Sequence, residues 1–316
     1  MTKFLQTLLD SLSVGSLYAL IALGYTMVYG TLKFINFAHS TVFMLGAWAS
    51  LIVAKKLGAA LGWPVDGPYP PYAAALVVLI VITLCALLGV TIERLAYRPL
   101  RNAPRLNVLI TAIGVALLLE NVAALPSLIG TEPSRMPSLI SDKPLASIGA
   151  AGGNVVNINP ADAWIIILAV VLMAGLQFLI FRTKLGNAMR AVSQDSRTAS
   201  LMGINVDKTI SITFLIGSGL AGAAGFLFAA KYPGLQQPAY SGWALLGLKA
   251  FVAAVVGGIG KIRGAMLGGL LIAMAEQFGS AYVSTQLRDV YVFSILIAVL
   301  LFMPSGIMGK SVVEKV

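Results

Sequence analysis

Lys33, Asn36, His39, Ser40 and Thr41 crowd the start of an otherwise apolar run, KFINFAHSTVFMLGAW at 33–48. Polar groups at membrane depth are costly, about 2.5–3.5 kcal/mol for a charge at the centre of a spanning helix, so they usually face a cavity or a partner. Discontinuous helices that line a solute path look like this. Asn36, His39 and Ser40 are therefore candidate contacts on a substrate path; the plainer reading is that they cap a helix start. Glu120, Lys249 and Glu276 stand inside other apolar runs. Lys249 is expected to pair with either glutamate across a bundle, or to snorkel outward.

Covalent chemistry has little to work with. His39 is the only histidine and Cys85 the only cysteine, which leaves no histidine metal cluster, no disulfide and no Ser/His/Asp set. The 12 acidic residues are scattered, so no catalytic residue and no metal site is assigned. GSGLAG at 217–222 matches a dinucleotide fingerprint, but it lies in an apolar run with no acidic residue between Asp207 and Glu276. Gly217, Ala221 and Gly225 read instead as a stripe of small residues for close helix packing. GGIGKI at 257–262 lacks the first glycine and the Ser or Thr of a phosphate loop, and reads as a tight turn. No cofactor is expected on this chain.

The frame holding these residues is greasy. Mean hydropathy is +0.89, and only 11% of residues are charged, against about 25% in soluble domains. Apolar runs near the roughly 20 residues that span a bilayer occur at 11–30, 36–57, 72–95, 106–125, 161–181, 209–230, 243–259, 264–283 and 289–304. Hydrocarbon offers the backbone no partner, so the spans must be helical. The expected fold is an all-α polytopic transmembrane bundle, one domain over 1–316, with eight or nine spans according to whether 36–57 re-enters. Nine spans place the N-terminus outside, and eight place it inside.

The net charge of +10 points to orientation rather than to nucleic acid. Segments 93–105, 182–208, 261–263 and 310–315 hold 13 basic residues, and the intervening connections 58–71, 126–163, 231–242 and 282–289 hold 4. The first set is cytoplasmic by the positive-inside rule. The longest external connection, 126–160, is rich in Pro, Ser, Gly and Asn and reads as an irregular loop with a short extended element.

One stretch does not fit a purely lipid-embedded chain: RTKLGNAMRAVSQDSRTASLMGINVDK at 182–208. From Gly186, the residues Met189, Val192, Ser196, Ala199 and Met202 recur three or four apart, as on one face of a continuous helix that Gly203 ends. Arg190, Gln194, Asp195, Arg197 and Thr198 fill the other side. The apolar face is small and shallow, suited to a partner's groove as well as to the bilayer surface. A self-contained secondary transporter or channel is the rival to a partner-driven device, with Glu120 and Glu276 as its ion-coupling candidates.

GSLYALIALGYTMVYG, INFAHS, IERLAYRPLRNAPRL, RAVSQDSRTASLMGIN and GLKAFVAAVVGGIGKIRGAMLGGLL, in that order, closely resemble the H-type permease subunit of bacterial branched-chain amino-acid ABC importers. The resemblance covers nearly the whole chain and is weakest over 126–160. It implies a second, M-type permease to complete the pore, two cytoplasmic ATPases that use the ATP and magnesium, a periplasmic binding protein that delivers substrate, and the lipid of a bacterial inner membrane. It also implies that 182–208 is the ATPase-coupling loop, because Ala199 and Gly203 in ASLMG match the A-x-x-x-G core of such loops. Ser193, Gln194 and Asp195 stand where the usual glutamate-led start of the loop is missing. The expected coupling set is Met189, Arg190, Val192, Asp195, Ser196, Ala199, Met202 and Gly203.

Overall fold

A computed structural model describes residues 2–64, 69–101, 103–140, 144–148 and 155–309. The basic segment 310–315 and parts of the loop 126–160 lie outside the described residues. Each of the nine apolar runs forms a helix. In chain order the helices are α1 (Thr2–Leu32), α2 (Ala38–Leu61), α3 (Pro71–Ile92), α4 (Arg105–Ala123), α5 (Pro160–Arg182), α6 (Lys184–Gln194), α7 (Ser196–Leu201), α8 (Val206–Lys231), α9 (Ser241–Gly257), α10 (Ile262–Tyr282) and α11 (Arg288–Phe302). Among the described residues, seven helical stretches are long and apolar enough to cross a bilayer. The two remaining runs form α9, which is apolar but only 17 residues long, and α10, whose 21 residues include Arg263 and Glu276.

α1 is the axis. It is buried almost throughout its length, and α2, α5, α8, α9 and α10 pack around it. Its polar residues are tolerated there because hydroxyls bond back to their own helix: Thr7 donates to the Lys3 carbonyl at 2.9 Å and Ser11 to the Thr7 carbonyl at 2.6 Å. α4, α5 and α11 form the outer layer, with Leu118, Phe178 and Leu301 exposed where lipid would cover them. α2 is one continuous helix closed by the left-handed Gly62 (φ +67°). Near the chain start, Lys3 donates to the Ala281 carbonyl at 2.6 Å and Gln6 accepts from the Asn157 amide at 3.0 Å. The start of α1 therefore sits beside the end of α10 and the loop 126–160.

Glycine does what the small-residue stripe predicts. A Cβ at Gly225 would lie 2.5 Å from the Phe43 carbonyl oxygen and 2.6 Å from the Ala47 nitrogen, and one at Gly46 would lie 2.9 Å from Gly222 Cα. α2 and α8 thus touch backbone to backbone, and GSGLAG is packing surface. Gly225→Ala is expected to destabilise the bundle by about 1–3 kcal/mol through forced overpacking, read as a lowered unfolding midpoint in detergent. GGIGKI forms the turn from α9 to α10, with Gly258 and Gly260 at φ +106° and +86°.

The loop 126–160 takes part in two short antiparallel pairings, one of them with the connection 231–242. β1 (Ser134–Arg135) joins β4 (Gly234–Leu235), and β2 (Ala146–Ile148) joins β3 (Val156–Ile158). These are the extended elements that its composition suggests.

Candidate functional site

The polar stretch 182–208 is two helices and not one. Thr183 caps α6, its hydroxyl accepting from the Gly186 amide at 3.2 Å. At Asp195 the backbone turns extended (φ −152°, ψ 109°), and its carboxylate restarts the chain as the cap of α7. Oδ1 accepts from the amides of Arg197 (2.9 Å) and Thr198 (3.2 Å), and Oδ2 from the Thr198 hydroxyl (2.5 Å). α7 closes in a Schellman motif: the Ile204 amide donates to the Ala199 carbonyl at 3.1 Å, the Gly203 amide to the Ser200 carbonyl at 3.0 Å, and Gly203 takes φ +81°.

The break at Asp195 corrects the single-face expectation. Met189, Val192 and Ala199 are buried in the chain's own packing, while Ser196 is exposed. Met202 does not join them either: it is 79% exposed, and Leu201, which the spacing does not select, is 83% exposed. The apolar surface of this segment is thus the Leu201–Met202 tip. Arg190 and Asp195 are also exposed, with Arg190 stacked over the Phe181 ring at 5.5 Å.

Asp195 is fully exposed, yet the Thr198 hydroxyl, followed by the Thr198 and Arg197 amides, holds its carboxyl below the usual carboxylate range. A carboxyl whose folded pKa lies below the unfolded value of about 3.9 contributes order above that value, and loses it as pH falls through the depressed one. Asp195→Ala is therefore expected to lower the hydrogen-exchange protection of the Arg197 and Thr198 amides at neutral pH. The unsubstituted chain should lose that protection only in acid.

Behind α7, a charged clamp ties α8 to the end of α3. α3 continues as a π-turn over Glu93–Tyr97, a distortion common at functional sites, and then a short 3-10 turn. Glu93, fully buried, pairs with Arg101 and accepts from the Ser211 hydroxyl at 2.6 Å. Asp207, at the start of α8, pairs with both Arg98 and Arg101. These four residues escape sequence reasoning, because Arg101 and Asp207 stand 106 positions apart.

Of the proposed path residues, Asn36 is 4%, His39 1% and Ser40 8% exposed. Asn36 Oδ1 accepts from the Ala38 amide at 3.1 Å and from the Tyr97 hydroxyl at 2.6 Å, a role in shaping the bend between α1 and α2. The His39 ring packs edge-on against Tyr25 at 4.8 Å, and its Nε2 has no hydrogen-bond partner among the described residues. Ser40 donates to the Phe37 carbonyl at 3.0 Å, against Gly247 of α9.

Lys249 selects Glu276 and not Glu120. Its Nζ lies 2.8 Å from Glu276 Oε1 and 2.6 Å from Asp289 Oδ1. Arg288 Nε lies 2.5 Å from the same Oε1, and the Tyr18 hydroxyl donates to Oε2 at 2.8 Å. Glu120 instead accepts from the Thr41 hydroxyl at 3.1 Å. Among the described residues, no group of three or more His, Cys, Asp or Glu is placed to hold a metal ion.

Residues 7–303 match the family model described as "Branched-chain amino acid transport system / permease component". The chain belongs to this permease family. The permease is 43% identical over 316 residues to the high-affinity branched-chain amino acid transport system permease protein LivH of Escherichia coli K12. It is 42% identical over 313 residues to LivH of Salmonella typhimurium LT2 and to the corresponding protein BraD of Pseudomonas aeruginosa PAO1. Each alignment covers 99% of this chain and 98% of the relative. No solved structure matches it. It is a multi-pass membrane permease component of a branched-chain amino acid transport system, and not itself the catalytic part.

Proposed function

We propose that this permease forms half of the pore of an ATP-driven importer for branched-chain or related amino acids, completed by an M-type permease. Two cytoplasmic ATPases drive it, one of them seated on the loop 182–208, and a periplasmic binding protein delivers substrate to the face that carries 126–160. Nine helices crossing the membrane, with the N-terminus outside, fit the placement of Lys3 beside Ala281 and the basic excess on alternate connections.

The carrying observation is the exposed Leu201–Met202 tip on a segment otherwise kept polar and tied to the membrane helices. Two large apolar side chains held in water by a capped six-residue helix have no internal use; a groove on a soluble partner supplies one. ATP-driven closure of the ATPases would move α6 and α7. The clamp of Glu93, Arg98, Arg101 and Asp207 would pass that motion to α8 and to the end of α3. The Asn36–Tyr97 contact then links the π-turn to the start of α2, so the path residues Asn36, His39 and Ser40 would be uncovered only when that region moves.

Site-specific cross-linking tests this reading. A photoreactive residue at position 201 in the assembled transporter should attach to the ATPase subunit. One at the exposed external Ser147 should not. Equal labelling from both positions, or none from 201, contradicts the docking assignment.

A further inference from the structure

The ion network around Glu276 borders a cavity of about 240 Å³, lined in part by Tyr18, Phe43, Phe228, Leu246 and Arg288. Its walls come from α1, α2, α8, α9, α10 and α11. It runs from the external end of the bundle, where Tyr232 stands just beyond α8, to Tyr18 near the middle of α1. The volume falls below the roughly 300–1,000 Å³ of sites for drug-sized ligands, which favours a small solute.

The chemistry of the lining is divided. The lining includes the aromatic and aliphatic side chains Phe43, Phe228 and Leu246. It also includes Glu276, fully buried, with Lys249 at its carboxylate; Asp289, outside the lining, pairs with the same Lys249. Arg288 adds a second cation, its side chain 39% exposed. Its Nε is 2.5 Å from Glu276 Oε1 but is not aligned to donate to it, and has no hydrogen-bond partner among the described residues.

Two anions and two cations cancel, so the cluster carries no net charge. A buried ion pair is weak evidence for stability, because well-packed apolar residues of similar volume often do as well or better. Ionisable groups inside a membrane are by default functional. A balanced network in a lining that also holds Phe43, Phe228 and Leu246 suits one class of small solute: a zwitterion with an apolar tail. Such a molecule can exchange partners with the network without leaving a desolvated charge unpaired.

We infer that this cavity is a transit subsite for an α-amino acid zwitterion with an aliphatic side chain. Glu276 faces the ammonium group, Arg288 and Lys249 face the carboxylate, and Phe43, Phe228 and Leu246 receive the tail. The assignment rests on the importer reading and places its outward half-path inside this chain.

The test uses the complete transporter, this chain with its partner subunits, in proteoliposomes with ATP on the ATPase side and the binding protein outside. Initial uptake of leucine and of valine is compared. Leu246→Trp narrows the apolar end, and should lower leucine uptake relative to valine at least threefold. Arg288→Gln should cut both at least tenfold, while ATP hydrolysis stimulated by the binding protein persists. An unchanged leucine-to-valine ratio in Leu246→Trp overturns the subsite, as does normal uptake in Arg288→Gln. If Arg288→Gln does not assemble, the ratio in Leu246→Trp decides alone. Failure of the unsubstituted complex to import either solute with ATP overturns the importer reading itself, before any variant is compared.

Discussion

Leu201→Asp together with Met202→Asp is expected to abolish uptake, by more than tenfold, and to release the ATPase from the purified permease. Both side chains are exposed, so the substitutions leave this chain's own packing untouched, and surface changes of that kind usually stay within about 0.5 kcal/mol of neutral. What they would remove is the proposed partner contact. Truncating a buried apolar anchor of an interface commonly costs 2 kcal/mol or more, about thirtyfold in affinity by the usual conversion, and burying a carboxylate in its place costs further. Replacing Ala199 or Gly203 would be a poorer experiment. Ala199 is buried within the permease itself, and Gly203 holds a left-handed backbone, so either change disturbs the fold of the loop before any partner is considered. Co-purification of the ATPase at normal yield with the double variant would remove the tip from the interface.

Glu276→Ala is expected to be the most damaging single substitution in the membrane region. It leaves Lys249, 6% of whose side chain is exposed, with only the half-exposed Asp289, and takes from Arg288 and Tyr18 their shared carboxylate. Breaking a buried pair by removing one partner typically costs about 3–5 kcal/mol. The paired change Lys249→Met with Glu276→Met should recover much of the lost stability, since it removes both desolvated charges and keeps the volume. It should not recover transport if the network handles solute. Unfolding in detergent, read alongside uptake, separates the two roles. A paired variant no more stable than Glu276→Ala would mean that the network's hydrogen bonds, and not its stranded charge, dominate.

The spans, the packing glycines and the turn at 257–261 were legible in the sequence because each is a local signal. An apolar run must be helical in lipid, a small-residue stripe admits a close neighbour, and paired glycines permit a sharp reversal. The segment 182–208 was half legible. A helical wheel drawn through 186–202 assumes one helix, so the restart at Asp195 turns Ser196 and Met202 away from Met189 and Val192. The signal was present in QDSRT, since an aspartate two or three residues before amides that need an acceptor is a helix start, but it competed with an attractive periodicity. The choice of Glu276 over Glu120 for Lys249 needed α9 and α10 to be neighbours, which the tight turn between them suggests and the spacing of charges does not. The clamp at Glu93, Arg98, Arg101 and Asp207 had no local signal, because it joins two helices that meet only in the folded bundle.

The most direct measurement compares solute accumulation in proteoliposomes that contain the permease alone with those that contain it beside its ATPases and second permease. With binding protein and leucine outside, and ATP on the ATPase side, the full assembly should concentrate leucine inside while the lone permease concentrates none under any ion gradient. Accumulation by the lone chain, driven by a proton or sodium gradient, would contradict an engine acting through Leu201 and Met202.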